Sequence, residues 1–207
     1  VWRAAFKPLV DRIADTDIRL QWFCCDRSTG VTDASGKRVT LIRDTKYPVS
    51  VEYQTVKFIG TGRDNIKAGV FSGWELGDYI YLRSEEAYMI KMEALAHKGS
   101  ADAITELNSF MKTRQPDYNY TFTNKADLIE EIIYQKRVEF WGEGLEYIDK
   151  RRLNIPVDRT DETWGAENNN HFSAGKFRYN QEERPFLYQL PLSEIENNSQ
   201  LSPTDQN

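Results

Sequence analysis

Two helical patterns separated by only a lysine, a glycine and a serine constrain this fold most. Residues 78–97 read DYIYLRSEEAYMIKMEALAH, where Ile80, Ala87, Ala94 and Leu95, with Tyr81, Tyr88 and Met92, predict a broad apolar face at helical spacing. Gly99 is the expected stop, because glycine enters the left-handed region at a helix C-terminus without steric cost. Ser100 is the expected cap of a second helix over 101–113, where Ala103, Ile104, Leu107, Phe110 and Met111 recur every three or four residues. So short a connection predicts two helices packed antiparallel. The small residues Ala87, Ala94 and Ala103 suit the close approach of tetratricopeptide-like pairs. No repeat of fixed period extends the pair into a solenoid.

The remaining elements are weaker. A short helix is predicted around residues 8–15, followed by an exposed segment containing Asp17-Ile18-Arg19. Residues 21–60 read as extended or irregular, and the turn residues Asp33-Ala34-Ser35-Gly36 suit a small β-hairpin. Five glycines between Gly60 and Gly77 mark a long loop carrying Phe71 and Trp74. After Gln115-Pro116-Asp117, Tyr118, Tyr120 and Phe122 lie in a loop. Asn124 then caps a third helix over 125–141, with Leu128, Ile129, Ile132, Ile133, Val138 and Phe140 inward. Gly142 and Gly144 interrupt it, a further turn or two spans 145–153, and 158–183 reads as a long polar loop holding Trp164, Asn168 and Phe172. The expectation is a mainly α fold, a single domain over 1–207, with long irregular loops and a small β-hairpin.

Composition removes several functions. With 40% hydrophobic and 13% aromatic residues, the chain has the means to bury a core. A formal charge of -5 argues against general nucleic-acid binding, which needs a cationic surface to neutralise phosphates. Cys24 and Cys25 are adjacent and the sole cysteines, so no disulfide framework or CxxC metal pair exists. His97 falls near a helix end and His171 in a polar loop, far apart in sequence, so neither builds a metal or triad site; no cofactor is expected. The start at Val1-Trp2-Arg3, without a basic and apolar leader, reads as that of a fragment or a processed chain.

The densest chemistry lies in 136–152, KRVEFWGEGLEYIDKRR. Glu139 and Glu143 are four residues apart and share a face if the helix continues through Gly142. Such a pair suits glycoside hydrolysis, with one acid and one base or nucleophile. The neighbouring arginines favour a different reading. A guanidinium beside a carboxyl depresses its pKa and spoils it as an acid, whereas its planar fork suits Arg–carboxylate ties between helices.

These residues also carry a resemblance. Gln135, Arg137, Glu139, Phe140, Glu143, Gly144, Asp149 and Arg152 are similar in spacing to the C-terminal signature of the SusD/RagB family. Asp17-Ile18-Arg19 resembles the family's D-x-R and Lys57-Phe58 its K-F. Tyr81-Leu82-Arg83 through Glu93-Ala94-Leu95 resembles its Y-x-R helix, and Asn108 matches the asparagine of its second helix. Leu190-Pro191-Leu192-Ser193-Glu194-Ile195, with Asn198 and Leu201, resembles its closing segment. The pieces occur in order from about residue 17 to the end. Members are roughly twice this long, so the resemblance implies the C-terminal part of a SusD-like fold, without the N-terminal helices and the lipidated cysteine.

The resemblance implies non-catalytic binding of an oligosaccharide or other nutrient at the bacterial cell surface. The ligand would pass to a TonB-dependent outer-membrane transporter. The outer-membrane attachment would be through a lipid anchor not carried by this sequence. Sugars stack apolar faces on aromatic rings and hydrogen-bond amides, so Phe71, Trp74, Tyr118, Tyr120, Trp164 and Asn168 are the candidate ligand contacts. Arg137, Glu139, Glu143, Asp149 and Arg152 are read as structural. The alternatives are a helical scaffold that binds a protein through the 78–113 hairpin, and a glycoside hydrolase using Glu139 and Glu143.

Overall fold

A computed structural model of the chain describes residues 5–24, 54, 55, 57, 81–121, 124–183, 189–202 and 204. The described residues gather into two units, 1–143 and 144–207.

The first unit is built on three helices. The first two are α2 (Ser84–His97) and α3 (Asp102–Met111), and the third is α4 (Lys125–Glu139); α1 (Lys7–Asp11) precedes them. The helix stops are local chemistry. Gly99 sits at φ 72°. Its amide bonds the Ala96 carbonyl and the Ser100 amide bonds the Leu95 carbonyl, a paired closure of the orphaned C-terminal carbonyls. The Ser100 hydroxyl then accepts from the Asp102 amide, and the Asn124 side chain accepts from the Asp127 amide.

Helix α2 packs against both α3 and α4. Its buried stripe is Met89, Met92, Glu93 and Ala96, which corrects the predicted face. Ala87 and Ala94 are exposed, Tyr88 is half exposed and Tyr81 is 93% exposed. The helix begins at Ser84, not 78; Tyr81 and Leu82 lie ahead of it. A charged residue misled the apolar count, since Glu93 is buried against Lys136 of α4 at 3.2 Å. In α3, Ala103, Leu107 and Met111 are buried as expected, while Ile104 and Phe110 are half-buried.

A second core joins α1 to α4. Leu9, Val10, Ile13, Leu20, Phe23, Tyr134 and Val138 are buried together, with Trp22 and Trp141 packed on the rim. Phe23 meets Trp141 edge to face, centroids 5.7 Å apart. Strands β1 (Phe23–Cys24) and β2 (Gln54–Thr55) pair antiparallel, so the extended reading of residues 21–60 holds there, whereas Gln21 and Trp22 close a 3-10 helix over Ile18–Trp22. The turn at 33–36 lies outside the described residues.

The second unit holds α5 (Leu145–Arg152), an antiparallel ribbon of β3 (Val157–Asp158) and β4 (Arg178–Tyr179), α6 (Asp161–Trp164) and α7 (Leu192–Asn197). The predicted long loop over 158–183 is therefore a compact set of short elements. Asp158 organises it. Its carboxylate accepts from the Thr160 amide and hydroxyl, the Thr163 hydroxyl and Arg178. Asn169 adds bonds to the Arg159 carbonyl and Asp161.

Candidate functional site

Helix α4 ends at Glu139, and Gly142 follows at φ 79°, so Glu139 and Glu143 do not lie on one continuous helix. They are brought together by cations from elsewhere in the first unit. Arg83 donates from Nη1 to Glu139 Oε1 at 2.8 Å and from Nε to Glu143 Oε2 at 3.0 Å. Its Nη2 reaches the Glu139 carbonyl at 2.7 Å, and its guanidinium lies 4.6 Å from the Phe140 ring centroid. Lys57 Nζ donates to Glu143 Oε1 and to the Glu139 carbonyl, each at 2.6 Å, and to the Trp141 carbonyl at 3.1 Å. Two cations thus cap the Glu139 carbonyl that ends α4, and Lys57 also takes the Trp141 carbonyl just beyond it, where the helix dipole favours positive charge.

Arg19 approaches Glu139 on its other side. Its Nη1 donates to Glu139 Oε2 at 3.3 Å, its Nη2 to Gln135 Oε1 at 2.5 Å, and its Nη2 to Asp17 Oδ2 at 2.7 Å. The segment 17–19 was expected to be exposed, but Asp17 and Arg19 are 2% and 1% exposed. The reason is that Asp17 and Glu139 neutralise the guanidinium, and Gln135 satisfies another of its donors, so burial leaves no bare charge. Arg114, which the sequence reading missed, adds bonds to both Glu139 oxygens at 3.0 and 3.2 Å. It lies just beyond α3, ahead of the Gln115-Pro116 break, and no local motif marks it.

Glu139 is therefore held by three guanidinia. Burial alone would raise its pKa, but Arg114, Arg19 and Arg83 hold its carboxyl down to about 2. Burial pushes the Lys57 ammonium below its ordinary value against the pull of Glu143. A carboxylate this acidic and this enclosed, at 1% exposure, has neither the pKa nor the access of a general acid or base. The Glu139–Glu143 pair is a clamp joining residues 19, 57, 83, 114 and 139–143. Of the other signature residues, Arg137 is half-buried on α4, and Asp149 pairs with Arg152 within α5 at 2.6 Å.

The candidate ligand contacts fall in different places. Phe71 and Trp74 lie outside the described residues. Tyr118 and Tyr120 stack with centroids 6.4 Å apart and 17° between planes. Asn108 fixes them by holding Tyr120 at both its amide (2.7 Å) and its carbonyl (3.1 Å). Tyr118 is buried and donates its hydroxyl to Glu131 at 2.9 Å; burial first, and that carboxylate second, push its pKa up. Both rings line a cavity of about 320 Å³ in the first unit. In the second unit, Trp164 ends α6, half-buried, with Nε1 donating to the Asp158 carbonyl at 3.1 Å. Asn168 is exposed one turn further on, its amide bonded to the Gly165 carbonyl. Among the described residues no His, Cys, Asp and Glu group is arranged to hold a metal ion, and no helix is long and apolar enough to cross a membrane.

No curated protein matches the chain. Its fold is similar to a crystal structure described as a SusD-like carbohydrate binding protein from Bacteroides vulgatus, with a TM-score of 0.59 and 22% sequence identity. The match covers 93% of this chain and 40% of that one, so this chain spans less than half of that relative's length. The buried clamp accounts physically for part of each motif piece, because Asp17 and Arg19, Lys57, Arg83, and Glu139 with Glu143 meet at one point. The model of the SusD family matches residues 13–207, and the chain belongs to that family.

Proposed function

We propose that this chain is part of a non-catalytic, cell-surface protein that binds an oligosaccharide and delivers it to a TonB-dependent outer-membrane transporter. Family membership over 13–207 carries the reading. The solved relative is itself described as carbohydrate binding. The clamp supports it from the chemical side: the one carboxylate pair that a glycosidase reading would use is committed to Arg19, Arg83, Arg114 and Lys57. Of the candidate rings among the described residues, Tyr120 and Trp164 remain partly exposed, and rings of this type stack on sugars.

A glycan array followed by calorimetry tests the reading, with Trp164→Ala and Trp74→Ala beside the parent chain. Binding without product formation, weakened by at least one of the two substitutions, is the expected result. Turnover of a glycan that disappears in Glu143→Gln would overturn it. Co-purification with the transporter from the outer-membrane fraction tests the partnership separately.

A further inference from the structure

We propose that the cavity between α1 and the Tyr118–Tyr120 loop is a subsite for one or two neutral sugar rings, contacted by Asp117, Asn119, Tyr120 and Arg12. This deepens the glycan-binding reading and rests on it. The volume of about 320 Å³ lies at the lower end of small-ligand sites, enough for a ring or two.

The polar groups of the cavity divide into those already committed and those with capacity left. Asp17 is held by Arg19, Gln135 by Arg19 and Glu131, and the Tyr118 hydroxyl by Glu131. Asp117 is different. It accepts from the Thr16 hydroxyl at 2.6 Å and has no cationic partner within bridging distance among the described residues. The Thr16 and Gln115 bonds hold its pKa below the ordinary aspartate value, so it is an ionised acceptor at neutral pH. Asn119 is exposed, and its amide makes no hydrogen bond to another described residue.

Arg12 donates from Nη2 to Glu131 at 2.6 Å, brings Nη1 within 3.8 Å of Glu130 and lies 3.9 Å from the Tyr134 ring centroid; with five N–H groups it keeps donors for a ligand. The Tyr120 hydroxyl donates to the Asp127 carbonyl at 3.1 Å, and Asn108 fixes its backbone, so the half-buried ring is held as a platform in advance of binding.

Charge selects the ligand. An anionic ligand would face Asp117 and Glu131, and a cationic one would face Arg12. Hydroxyl groups, which both donate and accept, satisfy both kinds of partner. A sugar ring adds an apolar C–H face for Tyr120. Nothing in the sequence singled out Asp117, Asn119 or Arg12, because they converge from segments about a hundred residues apart.

The test is calorimetry on the full chain with neutral mono- to tetrasaccharides, and with glucosamine and a sulfated sugar as charged probes. Asp117→Asn and Asn119→Ala are surface changes that leave the core untouched. Each is expected to weaken neutral-oligosaccharide binding about tenfold, in line with loss of one hydrogen bond to a sugar hydroxyl. Unchanged affinity in both variants, with the parent binding well, overturns the subsite while leaving the glycan reading intact. Failure of the parent to bind any neutral saccharide overturns the glycan reading and the subsite with it. Tighter binding of either charged probe than of its neutral counterpart overturns the assigned ligand class.

Discussion

Two carboxylates organise the two units, and they do so in opposite ways. Glu139 is buried and draws its partners from far along the chain: Arg19 is 120 residues away, Arg83 is 56 and Arg114 is 25. Asp158 is part-buried and draws its partners from within 20 residues, mostly the hydroxyls of Thr160 and Thr163, with a half-exposed Arg178. The first network fixes which elements meet; the second fixes how one short stretch folds on itself. A buried, multiply paired charge is strongly destabilised by loss of a partner, whereas a local solvated cluster loses little. The difference between the two units is therefore testable residue by residue.

Glu139→Ala should have the largest effect. It strands three guanidinia around a cavity, and urea unfolding should show a loss of about 3–5 kcal/mol. Acid gives the second largest. The Glu139 carboxyl is lowered from 4.5 to about 2, so its contribution is complete above its unfolded value and is lost as pH falls through the folded one. About 3 kcal/mol should disappear between roughly pH 5 and pH 2, measured by denaturant midpoints across that range. Asp158 is also lowered, against burial, by Thr160, Thr163 and Arg178, but its partners are mostly neutral groups and Arg178 is half exposed, so its share of the acid response is smaller.

The same contrast decides what the sequence could disclose. Helix stops and caps at Gly99, Ser100 and Asn124 were legible because each is satisfied within five residues. The burial of Asp17 and Arg19 was not, since it depends on Glu139, over a hundred residues later. The α2 face was misassigned for a related reason: Glu93 is inside because Lys136 is there to meet it. The Asp158 cluster was readable in principle from D-x-T-x-x-T, a pattern of side chains that bond nearby backbone and hydroxyls, but polarity alone suggested a long loop. The arginine-rich signature anticipated the direction of the Glu139 pKa shift, but the arginines that cause it are Arg19, Arg83 and Arg114, none of them in 136–152. It did not disclose Arg114, which has no neighbouring motif.

Smaller effects separate the two networks further. Asn108→Ala removes both bonds that hold the Tyr120 backbone, and should cost about 1–2 kcal/mol. Hydrogen exchange should show the Tyr120 amide losing protection while the α4 amides stay protected. Asp158→Ala should cost about 1 kcal/mol or less, with faster exchange confined to 157–164 and 178–179. A global loss of protection from Asp158→Ala would erase the distinction between the two networks.

Arg83 and Glu143 stabilise the fold by binding one another across 60 residues of sequence. A double-mutant cycle of Arg83→Ala and Glu143→Ala, read by urea unfolding at pH 7, measures that coupling directly. The clamp predicts a coupling of about 1–3 kcal/mol, each single variant being much less stable than the parent. Additive effects within about 0.3 kcal/mol would show that the two side chains act independently, and the clamp would be wrong.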